Sequence, residues 1–378
     1  MKTDWLIVGA GFTGCTLAER IASQLGQRVL LVERRGHVGG NAYDYYNDHG
    51  VLVHHYGPHI FHTNSAKVWE YLSQFTAWRP YEHRVRAVVD RRTIPVPFNL
   101  NSLDAVMPPA DAARLTRLLV DTFGMEAKVP ILKLREIANS DLRSLADYIY
   151  DKIFYGYTVK QWELKPEELD ASVTGRVPVY ISRDDRYFQD TYQSMPRGGY
   201  SELFRRQLAH ANIEILLNTD YRSILNDVKF KRLIFTGPIN TFFDNIHGPL
   251  PYRSLRFEFT TLDIERHQEV GTVNYPNDHD YTRITEQKYL SGQALGCTTL
   301  VKEFPQRHVE GETEPYYPIP RPENRERYNL YAKEAEKLNG SVLFAGRLAD
   351  YKYYNMDQAV ARALKVFEDE TTSAAAMR

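Results

Sequence analysis

Trp5-Leu6-Ile7-Val8-Gly9-Ala10-Gly11-Phe12-Thr13-Gly14 decides the fold of this chain. A short apolar run enters a glycine turn, and Leu17, Ile21 and Leu25 continue at helical spacing, so the stretch reads as strand, turn and helix. In such a fingerprint the first glycine permits the tight turn. The second lets backbone amides approach a pyrophosphate, and the third lets the helix pack closely on the strand. The phosphates would sit at the helix N-terminus, where unpaired N–H groups and the helix dipole favour negative charge. A second apolar run, Val29-Leu30-Leu31-Val32, ends at Glu33, whose carboxylate can accept hydrogen bonds from ribose hydroxyls. A glycine cluster alone also marks ordinary turns; strand, helix and spaced acid together point to an adenosine diphosphate moiety. The motif leaves FAD and NAD open. The next residues, Arg34-Arg35-Gly36-His37-Val38-Gly39-Gly40-Asn41-Ala42, bring a second glycine pair within reach of the same pyrophosphate and lean towards FAD.

Outward from this unit the chain is discontinuous. Arg84 to Val89, the polar turn Asp90-Arg91-Arg92 and Thr93 to Phe98 read as a hairpin, with Pro95 and Pro97 favouring an edge strand. Helical spacing dominates from about 102 to 155, through Leu115, Leu118, Leu119, Leu142, Leu145, Ile149 and Ile153. Strand-like pieces return from about 176 to 188 and from 252 to 302, and Ile213 to Leu217 and Leu233 to Gly237 could extend the nucleotide-binding sheet. Val342 to Arg347 looks like a strand entering a glycine turn, followed by a helix with Met356, Val360, Leu364 and Phe367 on one side. The tail from Thr371 to Arg378 reads as frayed. The expected fold is α/β: a Rossmann-like domain from 1–65, 200–248 and 330–370, a helical domain from 101–155, and a twisted antiparallel sheet from 66–100, 156–199 and 249–329.

Composition narrows the class. With 47 basic and 48 acidic residues the charge nearly cancels, which argues against nucleic acid or a membrane surface as partner. Two cysteines, Cys15 and Cys297, suit a reducing compartment better than a disulfide framework. No apolar run approaches the length of a membrane span, so the expectation is a cytoplasmic protein without membrane insertion, and no metal site is expected. The 26 tyrosines outnumber 17 phenylalanines; their broad faces and polar tips suit half-wet cavities. Tyr155-Gly156-Tyr157-Thr158-Val159-Lys160-Gln161-Trp162 is dense in flat rings on which a base could stack. Arg176 and Arg283 each offer a planar fork that can grip phosphate oxygens, although an isolated arginine is more often a solvated surface residue.

Five separated motifs, Gly57-Pro58-His59-Ile60-Phe61-His62-Thr63, Gly156 to Trp162, Tyr281-Thr282-Arg283-Ile284, Glu314-Pro315-Tyr316-Tyr317-Pro318 and Gly346 to Tyr354, resemble those of the bacterial UDP-galactopyranose mutases, in the same order. The resemblance runs from about residue 4 to 368. It implies interconversion of UDP-galactopyranose and UDP-galactofuranose without net redox change, through a covalent sugar adduct at N5 of reduced FAD. A flavin reductant such as NAD(P)H and a homo-oligomeric assembly are implied with it.

By the same resemblance, Arg176 and Arg283 hold the diphosphate with Tyr187, Tyr317 and Tyr353. Tyr157 stacks on uracil with Phe154 nearby, and Trp162 belongs to a mobile loop that continues past Pro166. His59 and His62 lie beside the flavin ring, Arg253 near sugar and flavin, and Arg347, Met356 and Asp357 at the flavin's phosphate and ribityl region. The dinucleotide contacts implied are Gly9, Gly11, Phe12, Thr13, Gly14, Glu33, Arg34, Gly39, Gly40 and Asn41. Asn355 stands where the family often carries aspartate, so it can hydrogen-bond a sugar hydroxyl but cannot serve as a base. His83 stands where asparagine is common, and its substrate contact is the weakest of these expectations. An amine-oxidase-like FAD oxidoreductase, which would share the N-terminal fingerprint, is the competing reading; a non-catalytic nucleotide-sugar or flavin-binding module is a third.

Overall fold

The computed structural model describes residues 1–170 and 175–376, with side chains to 372. Trp5–Val8 lies at the centre of a five-stranded parallel sheet, between Val29–Val32, which is followed outward by Ile213–Leu216, and Arg232–Phe235, which is followed by Val342–Phe344. Both faces are covered, as an all-parallel sheet requires, and the two central strands therefore carry continuous apolar runs. Phe12–Leu25 packs beside the C-terminal helix Met356–Ala376, so the first and last segments of the chain complete one layer. Leu17 and Ile21 are buried there, but Leu25 is exposed: the helix stops at Gly26, whose left-handed φ of 63° turns the chain away from the sheet. The tail is not frayed as far as described, because the last helix runs through Ala376.

A seven-stranded sheet forms the second layer, in the order Tyr317–Pro318, Tyr252–Leu262, Thr298–Arg307, Arg283–Glu286, Thr272–Asn274, Val85–Val89 and Arg92–Val96. It is antiparallel except where Thr272–Asn274 runs parallel to Val85–Val89. The proline-bearing strand is at the edge, and Asp90 and Arg91 both take positive φ in the hairpin turn, the geometry that matches the twist of the strands it joins. Between 176 and 188 the expected strand content shrinks to Val179–Tyr180.

The helices Leu100–Val106, Pro109–Phe123, Ile131–Arg135 and Ser140–Ile149 share one core with the hairpin rather than forming an isolated bundle. Ser140–Ile149 does not stop at 155 as the spacing suggests. It passes through a π-helical segment, Tyr150–Tyr155, into Gly156–Trp162, so that one interrupted rod carries the helical core's edge into the cavity described next.

Candidate functional site

At the dinucleotide turn, the first helix begins at Gly11 with no side-chain cap and no acid in its first turn, so its leading N–H groups are available to an anion. A Cβ on Gly9 would lie 2.1 Å from Thr236 Oγ1, and one on Gly14 would lie 1.9 Å from the Gly9 carbonyl oxygen. These are the turn and packing constraints expected of the first and third glycines. Gly11 differs: a Cβ there would meet only Gly40 Cα, at 3.8 Å, which leaves its flank open for close approach of a pyrophosphate. Phe12 and Thr13 are buried at the same helix end, and Gly39 and Gly40 both take positive φ. Glu33 is buried at the end of its strand and accepts from the backbone N–H groups of Ala10 and Arg35, at 2.9 and 3.0 Å. The donor set and the open glycine flank fit a dinucleotide cofactor such as FAD.

Three residues expected at the cofactor have partners within the protein. Arg34 pairs with Glu314 at 2.5 Å, and Glu314 also takes Arg35, so both arginines tie the nucleotide turn to the Glu314-to-Pro318 segment. Asn41 accepts from Arg35 Nη1 at 3.0 Å. Asp357, at the start of the last helix, accepts from Thr63 Oγ1 at 2.9 Å and so joins that helix to the histidine motif.

A cavity of about 660 Å³ opens beside this turn, lined by residues from all five motifs. His59, His62, Arg347 and Met356 line it, as do Tyr157, Trp162, Tyr187, Tyr317 and Tyr353. Phe154, His83, Arg176, Asn355 and Arg283 line it too, whereas Arg253 and Asp357 do not. The size falls within the roughly 300–1,000 Å³ usual for ligand pockets.

Its charge is arranged around two guanidiniums. Arg283 bonds Glu303 Oε1 through Nε at 3.1 Å and Nη2 at 2.9 Å. Burial works against its charge, yet the Glu303 carboxylate and the surrounding tyrosines hold it well above the ordinary arginine range. Arg176 lies 4.0 Å above the Tyr353 ring and donates to Asn355 Oδ1 at 2.5 Å. A neutral amide thus orients Arg176 without cancelling its charge, which an aspartate would do. Burial raises the hydroxyls of Tyr157, Tyr187 and Tyr317 above the usual phenol range, so all three are neutral donors. Tyr317 and Tyr353 meet edge to face at 4.8 Å, with Trp162 about 6 Å from each (6.2 and 6.1 Å).

His62 stacks on Phe188 at 3.6 Å, and its Nδ1 lies 3.0 Å from Asp190 Oδ2. His59 Nδ1 faces the Gly57 carbonyl at 2.9 Å, and His83 Nδ1 faces Tyr81 Oη at 3.0 Å. Burial pushes His59 and His83 down to about 3 and His54 to about 4, so each is neutral near pH 7. Unfolded histidines bind protons as pH falls through about 6.5, whereas these folded ones do not. Stability should therefore fall between pH 6.5 and 5, by up to about 1.4 kcal/mol per pH unit for each histidine. Urea titrations at stepped pH measure this; a flat unfolding free energy across that window contradicts it.

Arg253 stands apart from the other expected site residues. It is 1% exposed and does not line this cavity; its guanidinium instead grips the C-terminal end of Gly156–Trp162. The expected loop beyond Pro166 includes residues 171–174, which lie outside the described residues. Sequence reading missed Glu303, Asp190, Gln161 and Asn274. Glu303 stands opposite Arg283 in strand register, a pairing visible only once the sheet is built. Gln161 Oε1 and Asn274 Oδ1 are buried in residues lining the cavity and have no hydrogen-bond partner, an arrangement with no local sequence signal.

The fold and cavity define an enzyme-like dinucleotide scaffold whose second, cationic and aromatic chamber suits a nucleoside diphosphate. A family model described as UDP-galactopyranose mutase matches residues 152–353, and one described as NAD(P)-binding Rossmann-like domain matches 7–75. The chain is 35% identical over 373 residues to a probable UDP-galactopyranose mutase of Klebsiella pneumoniae, covering 98% of this chain and 95% of that protein. It is 33% identical to a UDP-galactopyranose mutase of Mycoplasma pneumoniae, covering 96% and 95%. It is also 33% identical to a dTDP-fucopyranose mutase of Escherichia coli, covering 95% and 96%. This chain belongs to the UDP-galactopyranose mutase family and is a mutase-type isomerase on a fold that supports a flavin cofactor. A crystal structure of reduced UDP-galactopyranose mutase aligns with TM-score 0.73 at 15% identity, over 98% of this chain and 94% of that one. Wild-type putrescine oxidase aligns at 0.58 and 12% identity, over 98% and 99%, which shows shared fold alone. Among the described residues no helix is long and apolar enough to cross a membrane.

Proposed function

We propose that the chain interconverts UDP-galactopyranose and UDP-galactofuranose with reduced FAD as cofactor. The observation that carries this reading is the convergence of Arg176 and Arg283 with four tyrosines on one cavity beside the dinucleotide turn. Gly9, Gly11, Gly14, Gly39, Gly40 and Glu33 would hold the cofactor's adenosine diphosphate, with His59, His62, Arg347 and Met356 along its flavin. When bound, reduced flavin supplies an electron-rich N5 for transient covalent attachment to the anomeric carbon. In this assignment 1–65, 200–248 and 330–370 form the flavin domain, 101–155 the helical domain and the remaining segments the substrate domain.

The protein's own task is to manage the leaving group. As the anomeric C–O bond breaks, the β-phosphate oxygen keeps the electron pair and charge grows on UDP. Guanidiniums aimed at that oxygen stabilise the charge more in the transition state than in the ground state. Arg283, its charge secured by Glu303, and Arg176, held by a neutral amide, do this from two elements. Tyr187, Tyr317 and Tyr353 add hydroxyl donors. Tyr157 and Phe154 offer ring faces to the base, and the unpartnered Gln161 and Asn274 oxygens can accept its imide N–H. Trp162 excludes water that would hydrolyse the activated sugar.

His62 is oriented for proton handling. Nδ1–H donates to Asp190, whose carboxyl that bond holds below the usual range, and Nε2 is left for the cavity. Asp190→Asn should lower kcat by about tenfold and displace the pH profile of kcat, because the ring loses its fixed tautomer. An unchanged profile would remove His62 from proton transfer.

The reading includes a reductant such as NAD(P)H, a homo-oligomeric assembly and a cytoplasmic setting. It is tested by incubating reduced holoenzyme with UDP-galactofuranose and, separately, with the dTDP-fucose analogue that the Escherichia coli relative's name suggests. Chromatography should show faster isomerisation of the UDP sugar and no oxygen uptake. Amine- or substrate-dependent oxygen consumption without isomerisation would favour an oxidase instead.

A further inference from the structure

Arg253 heads the fully buried side chains of the described residues, yet no part of the chemistry above uses it. Its contacts converge on one place. Nε donates to the Gln161 carbonyl at 2.8 Å, Nη2 to the Lys160 carbonyl at 3.4 Å, and Nη1 pairs with Glu163 Oε1 at 2.8 Å. Gly156–Trp162 ends there: Glu163 takes a left-handed φ of 56°, and its N–H returns to the Val159 carbonyl at 2.8 Å. The next carbonyls have no further turn to receive, and a cation among them satisfies both their lone pairs and the negative end of the helix dipole.

Trp162 sits on a wall between two cavities. It lines the 660 Å³ chamber with Tyr317 and Tyr353 and also a second cavity of about 450 Å³, bounded by Glu163, Leu164, Tyr252, Arg253 and His308. Open space therefore borders Trp162 in both cavities. Two further bonds hold the rod: at the same end Lys160 Nζ donates to the Tyr275 carbonyl at 2.8 Å, and in the preceding segment the Lys152 carbonyl accepts from Asn277 Nδ2 at 3.0 Å. The π-helical Tyr150–Tyr155 segment directly precedes Gly156–Trp162, and π-bulges are a common place for a helix to kink.

We infer that Arg253 is a positioning residue: it never touches substrate, and it fastens the end of Gly156–Trp162 so that Trp162 and Gln161 stay on the nucleotide side of the wall. The inference rests on the functional reading for its kinetic consequence and on geometry alone for the clamp itself. Lysine keeps the charge but cannot span three acceptors as a planar fork does.

The test uses holoenzyme carrying Arg253→Lys or Glu163→Ala, the latter at an exposed residue that leaves the buried guanidinium in place. Hydrogen exchange should speed by about tenfold at the amides of 157–163 and stay unchanged in the parallel sheet. KM for UDP-galactofuranose should rise about tenfold in Arg253→Lys and two- to fivefold in Glu163→Ala, with kcat changed less than about threefold. Unchanged exchange in both variants overturns the clamp. Faster exchange with unaltered KM overturns the positioning role, and a fall in kcat alone would mean that Arg253 meets the reacting centre. If Arg253→Lys fails to fold, Glu163→Ala decides by the same two readouts. A wild type without isomerase activity counts against the functional reading, while exchange still judges the clamp.

Discussion

Arg283→Ala is expected to lower kcat at least about 10²-fold, because the cavity loses a guanidinium whose value is greatest as charge develops on the departing diphosphate. The same substitution leaves Glu303, 3% exposed at its side chain, without its cation. Breaking a buried pair from one side costs roughly 3–5 kcal/mol, so a thermal shift will accompany the kinetic loss. The two effects separate in Arg283→Ala/Glu303→Gln, where the buried charge is gone. That double variant should recover much of the stability and none of the turnover. Steady-state kinetics beside chemical denaturation checks both. Recovered turnover would show that Arg283 serves only to neutralise Glu303.

Arg176→Ala should produce a loss of similar size, about 10²-fold in kcat, with almost no change in melting temperature. Its side chain is exposed and, among the described residues, is held by Asn355, the Tyr353 carbonyl and the Tyr353 ring, so its removal strands no buried charge there. Retained kcat with a raised KM would make Arg176 an anchor that binds ground and transition states alike. Arg176→Lys should recover little, since an ammonium cannot engage two phosphate oxygens in a fork.

The contrast between these two arginines also marks what the sequence could convey. Each motif could be recognised where local rules bind it: glycines that no Cβ could replace at 9 and 14, prolines at a sheet edge, an apolar stripe on the final helix. The structure brings all five motifs to one cavity, and most residues singled out in them line it. What was not legible depends on neighbours distant along the chain. Asp190 meets His62 across 128 residues, and Glu303 meets Arg283 through strand register. Alternation along Tyr252–Leu262 says that Arg253 faces inward, but not that a helix end waits there. The family resemblance implied a place near sugar and flavin; the structure shows the Arg253 guanidinium on the Lys160 and Gln161 carbonyls. Arg34 likewise meets a partner 280 residues away, the Glu314 carboxylate, which no local pattern announces.

The central claim is that two guanidiniums hold the nucleotide while a reduced flavin makes the sugar transferable. The most direct measurement follows UDP-galactofuranose by chromatography with purified holoenzyme, once fully reduced by dithionite and once fully oxidised, in sealed vessels with oxygen monitored. Rapid conversion to UDP-galactopyranose by the reduced protein is expected, with near-inactivity when oxidised and no oxygen consumed. Equal turnover in both redox states, or a purified protein that binds no flavin yet isomerises the sugar, would contradict it.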